Sequence, residues 1–373
     1  MNRMIAPAAL AALLWAMPVQ AQTGIAQQAD EAFARKDCKA AIPLYRQELS
    51  KGVPRARAQF RLGWCLNELK QHNEALPWLI AAAKADQSTP VFPQEVGYTY
   101  NRLGQYRPSI EWYRKALEIA PTDDAIMVSI AEGYYQLDEY EPAIEWFAKA
   151  VARKQQSGVT YQHYGYSLNH QQRYAEALPL LEKAVELSPK WSLAAMELAF
   201  SHEKLKHFDE AQTWYAKAAE LDPKSALALT SIGGLWLDLK KDCPTAMTWY
   251  RKALAIEANE RKANFGMGYC LNAQLLYSQA VPYLESAIRT DPKYAAAYID
   301  LGYSHKQLGN LALAETNLQQ GNRLNPRDAN GRYYLAQVYV VRRDKPAAQR
   351  VLTELRAIRP DLADKLQAQV DGL

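Results

Sequence analysis

The signatures of catalysis are missing from this sequence. Its 373 residues contain no Gly-x-Ser-x-Gly elbow and no glycine-rich phosphate loop, and its 17 glycines fall in repeat slots or after helix ends, as Gly104 and Gly309 do. The six histidines, at 72, 163, 170, 202, 207 and 305, are scattered, and His202-Glu203 lacks the second histidine of a zinc protease. There are only four cysteines, none in a Cys-x-x-Cys pair, which argues against zinc. No enzyme, metal site or cofactor is expected. Acidic pairs such as Asp123-Asp124 sit in turns and read as helix caps.

Charge of one sign is missing too. Lysine and arginine total 44 against 40 acidic residues, a net of +4 with the signs interspersed, so neither nucleic acid nor an anionic membrane is an expected partner. Apolar runs are confined to the N-terminus. Arg3 is the only charged side chain between Met1 and Ala21, Ile5 to Met17 is apolar, and Val19-Gln20-Ala21 offers the small residues a signal peptidase reads. Residues 1–21 are therefore expected to be a secretory signal peptide cleaved near Ala21. The alternative, a membrane anchor, needs about 20 apolar residues, more than this run supplies. The expected location is the periplasm or the exterior, and the absence of any Asn-x-Ser/Thr sequon suits a bacterial periplasm.

What the chain does have is periodicity. Leu62-Gly63-Trp64-Cys65-Leu66-Asn67 returns as Tyr164-Gly165-Tyr166-Ser167-Leu168-Asn169 and as Met267-Gly268-Tyr269-Cys270-Leu271-Asn272. Between these copies a shorter unit recurs three times over, with Gly or Ala at its eighth position, Ala at the twentieth, a bulky residue at the twenty-fourth, Ala at the twenty-seventh and Pro at the thirty-second. One inserted residue precedes Ala246. The small residues let two helices of a hairpin approach closely, the bulky one fills the gap to the next hairpin, and proline ends the second helix. Ten such units fill residues 22–361, a solenoid read as one extended domain. Beyond them Leu362, Leu366 and Val370 share one face of a short helix, residues 362–373, expected to cap the open end.

The superperiod groups the units in threes. Repeats three, six and nine share Gly97-Tyr98-Thr99-Tyr100, Ala199-Phe200-Ser201-His202 and Gly302-Tyr303-Ser304-His305, and repeats four, seven and ten share Pro142, Pro244 and Pro346. The cysteines follow it: Cys38 stands as far from Cys65 as Cys243 does from Cys270, while the middle group has Tyr140 and Ser167 instead. In an oxidising compartment this reads as two disulfides, Cys38–Cys65 and Cys243–Cys270, each stapling adjacent hairpins. Four buried free thiols are the alternative.

Stretches such as Tyr113-Arg114-Lys115-Ala116-Leu117-Glu118-Ile119-Ala120-Pro121 and Ala218-Ala219-Glu220-Leu221-Asp222-Pro223, on a period of 34, resemble the tetratricopeptide repeat. The resemblance implies an all-α, right-handed α-solenoid of about ten helix hairpins whose first helices line a concave groove. Repeat one departs from the pattern, with Glu48 at an Ala slot. In the family, positions 2, 5, 9, 12 and 13 face the groove. Here those positions include Trp64, Tyr98, Tyr166, Phe200, Tyr269 and Tyr303 at the ninth, and Asn67, Asn101, Tyr135, Asn169 and Asn272 at the twelfth. Rings stack and carry polar tips, and amides both donate and accept. Such a groove suits an extended segment of a protein partner, or alternatively a polysaccharide. Packing of the rings between neighbouring first helices is the plainer alternative. The leading expectation is a non-enzymatic scaffold of the envelope, with accessory glycan handling as the second.

Overall fold

The computed structural model describes residues 24–52, 55–154 and 156–373. The expected signal peptide, residues 1–21, lies outside the described residues. Every regular element among the described residues is an α-helix.

Two compact units divide between Gln156 and Ser157. In the first, helices pair as α1 (Ile25–Ala34) with α2 (Cys38–Leu49), α3 (Ala56–Glu68) with α4 (His72–Ala85), α5 (Val91–Arg102) with α6 (Tyr106–Ile119), and α7 (Asp124–Gln136) with α8 (Tyr140–Arg153). In the second, α9 (Gly158–His170) pairs with α10 (Tyr174–Leu187), α11 (Ser192–Lys204) with α12 (Phe208–Leu221) and α13 (Ala226–Lys240) with α14 (Cys243–Ile256). There follow α15 (Arg261–Ala273) with α16 (Tyr277–Thr290), α17 (Ala295–Gln307) with α18 (Leu311–Leu324), α19 (Ala329–Val341) with α20 (Lys345–Arg356), and a final α21 (Pro360–Asp371). Within each unit a hairpin packs on the next, the arrangement of an α-solenoid.

Nine of the hairpins are closed by the same backbone device, and that of α13 and α14 places its left-handed residue, Lys241, directly after the helix. The second residue after the first helix's end adopts a left-handed conformation, at Lys36, Lys70, Asp138, Gln172, Lys206, Leu275 and Arg343 as at Gly104 and Gly309. In the hairpin of α3 and α4, Gln71 N–H then donates back to Leu66 O at 2.8 Å, closing the orphan carbonyls of the helix end. Second helices start on caps where the sequence offers one: Asp37 accepts from Ala40 N and Asp242 from Thr245 N. Asp123, one of the turn acids, caps the first helix α7 through Ala125 N and Ile126 N.

The small-residue slots are the core. The twentieth position is fully buried as Ala41, Ala75, Ala143, Ala177, Ala211, Ala246, Ala280, Ala314 and Ala348. Where Ser109 replaces alanine, its hydroxyl donates to Gly97 O at 2.7 Å. At the eighth position the approach is closest: a Cβ on Gly63 would lie 2.5 Å from Leu79 Cγ, so only glycine fits over that leucine. The last helix packs on the second unit with Ala363, Leu366 and Val370 buried, while Leu362 is half-buried beside them.

Several consecutive first helices touch: α3 meets α5 in the first unit, and in the second α9 meets α11 while α13, α15, α17 and α19 form a chain of contacts. Consecutive second helices have no contact of that closeness. First helices thus lie on the crowded, inner side of the stack. Cys38 and Cys65 are 4.9 Å apart at Cα in the first unit, and Cys243 and Cys270 are 5.2 Å apart in the second, both at disulfide distance.

Candidate functional site

On a helix, positions 2, 5, 9 and 12 fall along one face. In the first helices that face is what the inner side presents, and the structure distributes its residues unevenly between surface and interior.

Three asparagines go inside. Asn67 is buried, donating through Nδ2 to Glu95 Oε1 at 2.8 Å and Thr99 Oγ1 at 2.7 Å on the next first helix, while its Oδ1 pairs with His72 Nδ1. Asn169 is buried too, donating to Glu197 Oε2 at 3.1 Å and accepting from the Ser201 hydroxyl at 2.7 Å. Asn272 accepts from Ser304 at 2.7 Å and donates to the Asp300 backbone oxygen at 3.1 Å. These buried amides tie hairpin to hairpin. Trp64 is also buried, its ring edge-on to Phe33 at 5.1 Å.

The remaining residues stay on the accessible face. Tyr98 and Asn101 are half-buried on α5, and Tyr135 is half-buried on α7 with its ring near Tyr140 at 6.4 Å. Tyr166 lies 4.5 Å from the His170 ring, and Phe200 packs edge-on to Tyr174 at 6.0 Å beneath the Lys204 ammonium. Tyr269 is 40% exposed, the most open of the rings. Tyr303 lies 4.7 Å from Tyr334 and 5.8 Å from Tyr277, with Lys306 Nζ over both Tyr303 and Tyr334. The rings are therefore brought together most densely on α15, α17 and α19.

Two sets of residues escape a reading of the ninth and twelfth positions alone. At position 2, Val159, Leu193 and Leu227 recur one repeat apart on α9, α11 and α13, and are 37%, 45% and 50% exposed. Exposed aliphatics thus recur in one register on three successive first helices. At position 6, Glu95, Glu197 and Asp300 recur with the superperiod's own spacing. Burial pushes Glu197 up to about 7, against the lowering effect of the Asn169 donor. Burial likewise raises Asp300 to about 7, with the Asp328 charge adding to it. His202 and His305, expected in packing slots, are buried, and burial holds both below the ordinary imidazole range.

Among the described residues, no group of three His, Cys, Asp or Glu is placed to hold a metal ion, and no helix is long and apolar enough to cross a membrane.

Tetratricopeptide repeat family models match residues 27–90, 94–123, 168–231 and 276–332, which together make up more than half of the chain. Among solved structures, the Cut9–Hcn1 hetero-tetramer of the APC/C aligns over 93% of this chain and 95% of that one, at 15% identity and a TM-score of 0.53. The C-terminal part of a repeat-containing protein from Cytophaga hutchinsonii covers 65% of this chain and 98% of its own, at 18% identity and a TM-score of 0.54. PilF from Pseudomonas aeruginosa covers 57% and 97%, at 18% identity and a TM-score of 0.52. Likeness at such identities shows the fold. A search of the curated proteins finds no match.

Proposed function

We propose, from the premise that this chain belongs to the tetratricopeptide repeat family, that it is a non-enzymatic scaffold of the periplasm whose first helices hold an extended segment of a partner protein. The fold supports a protein-interaction role; the choice of face and ligand rests on the residues. The observation that carries it is the recurrence of the exposed Val159, Leu193 and Leu227 at one register of α9, α11 and α13, with the open Tyr269 ring on the same inner face of α15. Packed helices stand about 10 Å apart, and an extended chain rises about 3.3 Å per residue. One residue of that register therefore meets roughly every third residue of such a segment, and each aliphatic covered contributes on the order of 1 kcal/mol.

Export is supported by the N-terminal apolar run and by two cysteine pairs at disulfide distance, chemistry that suits an oxidising compartment. Accessory binding of a polysaccharide is the second reading, favoured by the open Tyr269 ring, since sugar faces stack on such rings.

In-cell photo-crosslinking tests the reading, with a reactive analogue replacing Tyr98, Tyr166 and Tyr269 in turn. Discrete protein adducts are expected. A glycan smear removable by glycosidases would replace the first reading with the second, and no adduct at any of the three sites would remove the inner face from both.

A further inference from the structure

The three superperiodic acids are equivalent in register but not in surroundings. In repeats three and six the side chain is glutamate, long enough to reach back to the asparagine of the preceding hairpin: Asn67 donates to Glu95 Oε1 and Asn169 to Glu197 Oε2. In repeat nine the acid is Asp300, one methylene shorter, and the amide of Asn272 goes to its backbone oxygen instead. No donor among the described residues reaches the Asp300 carboxylate. Lys306, the only lysine of α17, turns away from it to donate to Gln337 Oε1 at 2.5 Å, its ammonium lying 5.5 Å from the centre of the Tyr303 ring.

Rings stand in register with that carboxylate. Tyr303 and Tyr334, at positions 9 and 6 of neighbouring repeats, lie 4.7 Å apart with their planes tilted by 37°. The same register sets Tyr269 against Asp300 on the hairpin before, and the Asp300 charge is close enough to help raise the Tyr334 hydroxyl, whose shift is due first to burial. Asp328 adds a second negative charge to the same place. Asp300 is half-buried, so its carboxylate is open to an incoming donor, and rings present their negative faces to cations. Lys306 over Tyr303 and Tyr334 shows the ring pair already accepting an ammonium.

The geometry points to a cation-receiving subsite at Asp300, Tyr269, Tyr303 and Tyr334, which takes a lysine or arginine side chain of the bound segment. The segment is thus basic at the residue that meets α17. This deepens the scaffold reading and rests on it.

The test uses the full mature chain carrying fluorotyrosine at position 269, read by fluorine NMR. The probes are N-acetyl-arginine methylamide and its citrulline counterpart, which has the same shape without the charge. Saturable shifts are expected with the arginine probe at a Kd on the order of mM, the range of a single side-chain contact, and weaker binding by at least about tenfold with citrulline. Asp300→Asn should reduce arginine binding to the citrulline level. Asp300→Glu keeps the charge but gives Asn272 a carboxylate to reach, so it too should bind more weakly than the parent. Equal binding of the two probes, no saturable shift with either, or full arginine binding in Asp300→Asn or Asp300→Glu would overturn the subsite. Crosslinks at the three inner rings without probe discrimination would sink the subsite alone, and discrimination without crosslinks would sink the scaffold reading alone.

Discussion

Raising the pH should weaken the second unit, because two of its carboxylates are held in the folded state far above their ordinary range. Asp300 moves from 3.8 to about 7 and Glu197 from 4.5 to about 7, in each case first by burial. In the unfolded chain both lose their protons near pH 4, whereas the folded unit keeps them until about pH 7. Between those limits the unfolded state binds fewer protons, so stability present at low pH is lost as pH rises through the folded pKa values. At about 1.4 kcal/mol per pH unit, the ceiling is about 4 kcal/mol for Asp300 and about 3 kcal/mol for Glu197. Relaxation and water entry reduce both, and a combined loss of a few kcal/mol is a fair expectation. Other groups act on these sites: Asp328 reinforces the Asp300 shift, while Asn169 opposes that of Glu197. The assay is urea unfolding of the mature chain at about pH 5 and pH 8, for the parent and for Glu197→Gln/Asp300→Asn. The double variant, which cannot charge at either site, should lose much less stability across that interval and be the more stable protein at the upper pH. If parent and variant lose stability in parallel, the two carboxylates are not the buried groups described.

Asn169→Ala should cost about 1–3 kcal/mol in urea unfolding, because it strands the buried Ser201 hydroxyl and removes the donor to the half-buried Glu197; Asn101→Ala, on the half-buried face of α5, should stay within about 0.5 kcal/mol. Leu275 is 67% exposed at a φ of 62°, so Leu275→Gly should raise stability by roughly 0.5–1 kcal/mol and the thermal midpoint with it. With each pair's partners separated by 27 positions in the chain, reducing either one should cost about 3–4 kcal/mol, seen as a lower thermal midpoint in dithiothreitol, and thiol titration of the unreduced mature protein should find no free thiol.

The hairpins were legible in the sequence because their slots are set by sterics that leave little choice: only a residue without a Cβ fits over Leu79 at Gly63, and only alanine-sized groups fit where Ala75 and Ala177 are fully buried. The inner face was harder to read. Position 12 lies at its border, where one helix meets the next, and asparagine there can turn either way. What turns it inward is an acid 28 residues on and a hydroxyl 32 residues on, as Asn67 finds in Glu95 and Thr99 and Asn169 in Glu197 and Ser201. That spacing is present in the sequence, but it gains meaning only when neighbouring first helices are known to touch. Trp64 is covered because Phe33 belongs to the departing first repeat, whose packing the regular pattern does not describe. The register of Val159, Leu193 and Leu227 was hidden for the opposite reason: aliphatic residues in a helical repeat look like core until their exposure is seen.

The most direct test of the central claim begins with the partner segment identified by crosslinking, synthesised as a peptide and titrated against the mature chain by fluorescence anisotropy. Leu193→Glu and Leu227→Glu alter exposed leucines of the inner face, and Leu313→Glu alters an equally exposed leucine on a second helix, α18. The account predicts at least about tenfold weaker binding for each inner variant and unchanged binding for the outer one. Loss confined to Leu313→Glu, or equal affinity in all three, would contradict it.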